Sequence, residues 1–238
     1  MIKLLVVLLT GAKFGKILLT VGMMALSIWA YSLFYGWPFA AGFVGLILVH
    51  EMGHFVAAKQ KGLNVGAPTF IPFFGAWIDL KDKPMNVETE AYVAFAGPLV
   101  GTIGALACYF LARHYDNRLL LALSYSGFFL NLFNLIPLSP FDGGRITAIL
   151  SPRVWLIGAP LLLGLFLWRP SPLLIVMAIM AAPQVLAAFR HDPDAAETQA
   201  YYSASLESKI LYGAFYLALA AFLSIMSYDV NAMLTGIS

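Results

Sequence analysis

Seven stretches of apolar sequence follow one another along this chain: Ile17–Tyr35, Pro38–Ala58, Ala91–Leu111, Leu119–Ile136, Val154–Trp168, Leu173–Phe189 and Ile210–Ser227. A helix needs about 20 mostly apolar residues to cross the hydrocarbon layer of a membrane. Lipid admits only helices and closed barrels, because nothing in it satisfies free backbone groups. The first four stretches and the last are long enough to cross. The fifth and sixth are shorter and are separated by Pro170 and Pro172, so they form two spans or one broken re-entrant hairpin. The expected fold is an all-α polytopic membrane protein with six or seven transmembrane helices. Composition agrees: the 238 residues are 61% hydrophobic and 11% charged, against about 45–50% and about 25% in a soluble domain. An ordinary soluble globule and a disordered chain are both excluded. A net charge of +2 is too small to suggest nucleic acid, and the single cysteine, Cys108, can form no internal disulfide.

Basic residues collect on the cytoplasmic side of membrane proteins. With seven spans and the N-terminus inside, that side holds Lys3, Lys13, Lys16, Lys59, Lys61, Lys81, Lys83, Arg145, Arg153, Arg190 and Lys209. The far side holds only Arg113, Arg118 and Arg169. A hairpin in place of the fifth and sixth spans moves only Arg169, so an N-terminus in the cytoplasm is expected either way. No cleavable signal peptide is expected, since Lys13 and Lys16 follow the short run Leu4–Leu9 and a full span follows them. Residues 1–16 are read as an amphipathic or strand-like interfacial segment, 17–150 as the core of four helices, and 151–238 as C-terminal membrane helices that could form a gate. Between the second and third spans, Val65–Leu80 is rich in β-branched and aromatic residues and carries Gly66, Pro68, Pro72 and Gly75. That pattern predicts short strands joined by a turn. The segment is too apolar for a solvated loop and is expected to dip in beside the helices, where protein covers its edge. His191–Ser208 is acidic and rich in small residues, and reads as a cytoplasmic connector.

Ionisable side chains within membrane spans are costly and mark function. Here they concentrate in one place, Leu48-Val49-His50-Glu51-Met52-Gly53-His54-Phe55, deep in the second span. On a helix, residues four apart share a face, so His50 and His54 can reach one metal ion in this His-Glu-x-x-His pattern. Zinc suits imidazole ligands and keeps one position open when catalytic. Glu51, beside the first ligand, can act as the base that takes a proton from water. Counting from Lys59, the histidines lie roughly 7–14 Å below the cytoplasmic end of the span at 1.5 Å per residue. A third ligand is needed. Asp142 is the best candidate: Pro137 and Pro140 stop the fourth helix, Gly143 and Gly144 permit a sharp turn, and the carboxylate falls at the same membrane edge as the histidines. Asn134, eight residues earlier in an apolar helix, can donate to a carbonyl oxygen gaining negative charge. Asn131, one turn before it, competes for that role, and spacing alone does not choose between them.

The chain resembles the site-2 protease family of intramembrane zinc metalloproteases. His50-Glu51-Met52-Gly53-His54 matches that family's first motif. Asn134-Leu135-Ile136-Pro137-Leu138-Ser139-Pro140-Phe141-Asp142-Gly143-Gly144 matches its second, with Phe141 where many relatives carry Leu. Ala96-Gly97-Pro98 matches the small-residue motif between them. The resemblance covers roughly residues 13 to 150. It implies one zinc ion held by His50, His54 and Asp142, with Glu51 as general base. It selects Asn134 over Asn131 as the substrate- or oxyanion-binding amide, and it implies that the 65–80 hairpin pairs its edge with an unwound substrate. The polar gaps are too short for a PDZ domain or a CBS pair, which points to the compact branch. The expected partners are a transmembrane protein substrate and the lipid bilayer, with no nucleic acid, in a prokaryotic cell membrane.

Other features suggest structural roles. Gly97, Gly101 and Gly104 fit close helix packing, and Trp29, Trp37, Trp155 and Trp168 near span ends fit interfacial anchoring. His114 and His191 fall in loops. Arg145 can pair with an acid or with phospholipid. A metal transporter would need polar residues lining several spans, and these spans nearly lack them. An inactive scaffold would be expected to lack Glu51 or a ligand, and all are present.

Overall fold

The computed structural model describes residues 2–71, 75–80, 86–190 and 196–236, with side chains described for 18–66, 86–190 and 199–236. Helix α1 (Ile2–Tyr35) and helix α2 (Trp37–Gln60) are separated by Gly36, whose φ of 78° is open to glycine and lets the chain reverse at once. Strands β1 (Val65–Ile71) and β2 (Gly75–Leu80) follow, then α3 (Val87–Tyr115) and α4 (Arg118–Asn134). After an unwound stretch come the short helix α5 (Asp142–Thr147) and a 3-10 turn (Pro152–Val154). They lead into α6 (Trp155–Trp168), α7 (Pro172–Phe189), α8 (Ala196–Tyr202) and α9 (Leu206–Thr235). The starts of four helices carry side-chain caps. Asn86 accepts from Thr89 N at 2.8 Å, Asn117 from Leu120 N at 3.1 Å, Ser171 from Leu173 N at 3.3 Å and Ser205 from Ser208 N at 3.0 Å.

The all-α membrane architecture stands. Among the described residues, five helices are long and apolar enough to cross a membrane: 18–35, 37–60, 87–115, 172–189 and 206–235. Helix α4, at 17 residues, and α6, at 14, are the shorter members of the expected set. Residues 2–16 continue α1 as helix rather than strand. Helix α3 extends past its expected end, so His114 sits in its last turn, edge-on to Tyr115, and not in a loop. His191, Lys81 and Lys83 lie outside the described residues. The short strands are present, antiparallel, with Thr69 opposite Trp77 and Ile71 opposite Gly75, and an irregularity between Val65 and Pro68. The hairpin lies against α1 and α2, so protein covers it on those sides.

Helix α3 is the central element, packed against α2, α4, α5 and α9. Large apolar side chains such as Leu33, Ile103, Phe110, Ile179 and Leu217 point outward, as a lipid surface requires. The two largest of four apolar clusters among the described residues lie around the unwound stretch. One gathers Ile136, Leu138, Phe141, Ile149, Trp155, Leu162 and Met177; the other gathers Ala94, Phe128, Leu135, Ile146 and Leu223. The unwound stretch 135–141 contributes to both, which wedges it between them.

Three side chains from the C-terminal helices hold this stretch and the start of α5. Tyr216 of α9 donates to Leu135 O at 2.5 Å. Gln184 of α7 accepts from Ser139 N. Trp155 of α6 donates from Nε1 to Gly144 O at 2.7 Å. Trp155 is therefore a buried structural residue and not an interfacial anchor, unlike the exposed Trp29, Trp37 and Trp168. Trp155→Phe puts a smaller ring in a buried position and leaves Gly144 O with only its bond from Ala148 N. It should lower stability by about 1–3 kcal/mol, read as a shifted midpoint of denaturant unfolding in detergent.

Candidate metal centre

His50 and His54 face the same side of α2 because four residues make slightly more than one turn. Their rings meet edge to face with centroids 4.9 Å apart. Asp142 arrives from α5, where it is the first helical residue rather than part of the unwound segment. Its carboxylate turns to the histidines, and no side chain caps that helix. The three donor atoms form a near-equilateral triangle. His50 Nε2 lies 3.1 Å from His54 Nε2 and 3.1 Å from Asp142 Oδ2, and His54 Nε2 lies 3.2 Å from the same oxygen. All three residues are buried, and they form the metal-binding group found among the described residues.

The outer nitrogens decide what the triangle can hold. His54 Nδ1 lies 2.8 Å from Val93 O, which only accepts, so this nitrogen carries the hydrogen. His50 Nδ1 lies 2.8 Å from Asn131 Oδ1. The amide of Asn131 is oriented by Nδ2 donating to Gly127 O at 2.7 Å, so its oxygen is the atom facing His50. Both imidazoles thus present an Nε2 lone pair inward, beside a carboxylate oxygen. Three lone pairs at this separation repel. A proton on one ring relieves one part of that repulsion, whereas a single divalent cation relieves all of it. Tetrahedral zinc with ligands at 2.0–2.2 Å separates its donors by about 3.3–3.6 Å, close to the observed edges. The donor set and the two carbonyl partners therefore fit zinc, and such partners are how proteins fix the tautomer of a ligating histidine.

Glu51 is buried on the same helix and forms no hydrogen bond or ion pair among the described residues. A buried carboxylate without such partners is costly. Asn134 is half-buried, and its amide donates to Leu130 O of its own helix at 3.1 Å. The structure thus joins Asn131, not Asn134, to the His-His-Asp group. Arg145 pairs with an acid: its Nε donates to Glu90 Oε1 at 3.3 Å.

The glycines of α3 do more than let helices approach. A Cβ on Gly97 would fall 2.2 Å from His54 Nε2, and one on Gly101 would fall 2.3 Å from Asn131 Oδ1. Gly53 lies against Ala96 O in the same way. Each clears space for a side chain or backbone group of the centre. Four participants were not found from sequence: Glu90, Gln184, Tyr201 and Trp155 as a core donor. Gln184 had a readable signal, being the sole polar side chain in an apolar span.

An apolar helical bundle enclosing a His-Glu-x-x-His helix, with a distant carboxylate beside it, has the features of an integral membrane protein with a site able to hold a metal ion. The family model for peptidase family M50 matches residues 38–115, which include both histidines and Glu51 but not Asp142. A zinc metalloprotease of Methanocaldococcus jannaschii is 36% identical over 143 residues, or 58% of this chain and 41% of the relative. The chain thus spans about two fifths of the length of that curated relative. A solved site-2 protease from Methanocaldococcus jannaschii is 28% identical, with 74% of this chain and 86% of that chain covered and a TM-score of 0.47. Over residues 38–115 the chain is thus similar to peptidase family M50.

Gly97→Ala drives a methyl into the His54 ring. Zinc affinity, measured by chelator competition, should fall about tenfold or more, while helicity by circular dichroism stays unchanged.

Proposed function

We propose that this protein is an intramembrane zinc endopeptidase that cuts peptide bonds within or near the membrane segments of other membrane proteins. The observation that carries this reading is the triangle of His50 Nε2, His54 Nε2 and Asp142 Oδ2, with edges of 3.1–3.2 Å, next to a buried Glu51 that forms no hydrogen bond among the described residues. One zinc ion per chain is the proposed cofactor. When bound, zinc supplies the Lewis acid that makes water nucleophilic near neutral pH. Glu51 takes the proton of the attacking water and passes it to the nitrogen of the leaving amine as the C–N bond breaks. Asn134 is assigned to the substrate, donating to the carbonyl oxygen as it gains negative charge. Asn131 is assigned to His50, whose ring it orients.

A helical substrate hides its carbonyls in its own hydrogen bonds, so it must unwind before it can be cut. The β1–β2 hairpin offers an edge that can pair with the extended chain. Because His50, Glu51, His54 and Asp142 are all buried, neighbouring helices must part to admit it. Residues 17–150 are read as the catalytic core and 151–238 as the candidate gate. The basic residues favour a cytoplasmic N-terminus and a site in the cytoplasmic half of a prokaryotic cell membrane.

The test is cleavage of a single-span model substrate by purified protein in detergent. Glu51→Gln should lower the rate by about 10²- to 10⁴-fold while zinc stays near one per chain by metal analysis. His54→Ala should lose both activity and metal. Cleavage by Glu51→Gln at the wild-type rate refutes this assignment.

A further inference from the structure

Asp142 turns one carboxylate oxygen to the histidines, which raises the question of what fixes the other. Oδ1 lies 3.9 Å from Arg145 Nη1, three residues along the same short helix. That guanidinium is held more closely elsewhere: Nε donates to Glu90 Oε1 of α3 at 3.3 Å. The second oxygen of Glu90 accepts from the Tyr201 hydroxyl of α8. Burial, with the Glu90 carboxylate beside it, pushes the Tyr201 phenol up, so it is a donor at neutral pH. All three side chains are half-buried. A continuous line of polar contacts therefore runs from α8, through the first turn of α3, to a member of the metal-binding triangle.

Arginine tends to take both oxygens of a carboxylate through parallel bonds. A guanidinium free to do so next to Asp142 would compete with a cation for Oδ2. With Nε committed to Glu90, the Nε-side fork cannot close on Asp142, and Nη1 stands 3.9 Å from Oδ1, an ion-pair rather than a hydrogen-bond distance. We propose that Glu90 and Tyr201 hold Arg145 so that it orients Oδ1 of Asp142 and leaves Oδ2 to the metal. Arg145, Glu90 and Tyr201 are then positioning residues, and the connector helix α8 helps set the metal centre. This inference rests on His50, His54 and Asp142 being zinc ligands. If the contacts only tie α3, α5 and α8 together, changing them alters stability and leaves metal affinity alone.

The experiment measures zinc affinity of the full chain in detergent by competition with a chromophoric chelator, beside thermal unfolding of the zinc-free protein. Glu90→Gln is expected to weaken zinc binding about 10- to 100-fold, the range seen for groups that orient metal ligands. Tyr201→Phe should weaken it in the same direction by a smaller factor. Both act through Arg145, so neither should change affinity further in an Arg145→Ala background. If that background does not fold, Arg145→Lys, which keeps the charge but loses the fork, takes its place. Unchanged affinity in Glu90→Gln and Tyr201→Phe overturns the proposal, as do penalties that simply add to that of the Arg145 variant. Wild-type protein that binds no zinc overturns the reading of the centre and this inference together. Tight wild-type binding with unaffected variants overturns this inference alone.

Discussion

Two imidazole lone pairs and a carboxylate oxygen converge within 3.2 Å of one another in an interior that is otherwise apolar. Left to themselves these atoms would swing apart, since each gains by finding a donor elsewhere. They stay together because their outer edges are already committed: His50 to Asn131, and His54 to Val93 O. Those commitments in turn require room. Gly97 and Gly101 on α3 provide it, at positions where a methyl group would overlap His54 and Asn131. The choice of small residues on the central helix, the polar residue on α4 and the register of α2 against α3 all follow from holding three repelling atoms in place. A cation at their centre converts that repulsion into attraction, so the protein is arranged for a bound state it cannot satisfy alone.

What could be read from the sequence, and what could not, divides along chain distance. The histidine pair is local, four residues on one helix, and stands out because the surrounding span carries almost no polarity. Asp142 is distant from the histidines, yet its own neighbourhood identifies it: two prolines, two glycines and an acid at the end of an apolar run. Glu90 and Tyr201 carry no such signature. Each looks like an ordinary residue near a helix end, and its meaning lies in partners 55 and 111 residues away. Trp155 misled for a related reason. A tryptophan near a span end reads as an anchor, but the 3-10 turn before α6 rotates it inward to the carbonyl of Gly144. The short strands were legible because β-branched residues with prolines and glycines leave little else for that stretch to become.

The position of Asp142 bears on how the C-terminal helices pack. A single helix can offer two ligands on one face but cannot bring a third across the same metal, so the remaining vertex must come from another element. Here it comes from a point where α4 has stopped and α5 is starting, which aims the Asp142 side chain across the axis of α2. The gain carries a penalty, since residues 135–141 lie outside a helix and most of them are buried. Some bonds are made within the stretch, as from Leu138 N to Ile136 O and from Phe141 N to Leu138 O. For others the chain spends polar side chains on apolar helices, Tyr216 and Gln184, while Trp155 holds Gly144 O at the start of α5. Polar residues inside spans are expensive, and two of them from two helices converge on this loop. The carboxylate of Asp142 therefore rests on the C-terminal helices, through the loop they hold, as directly as the two imidazoles rest on α3.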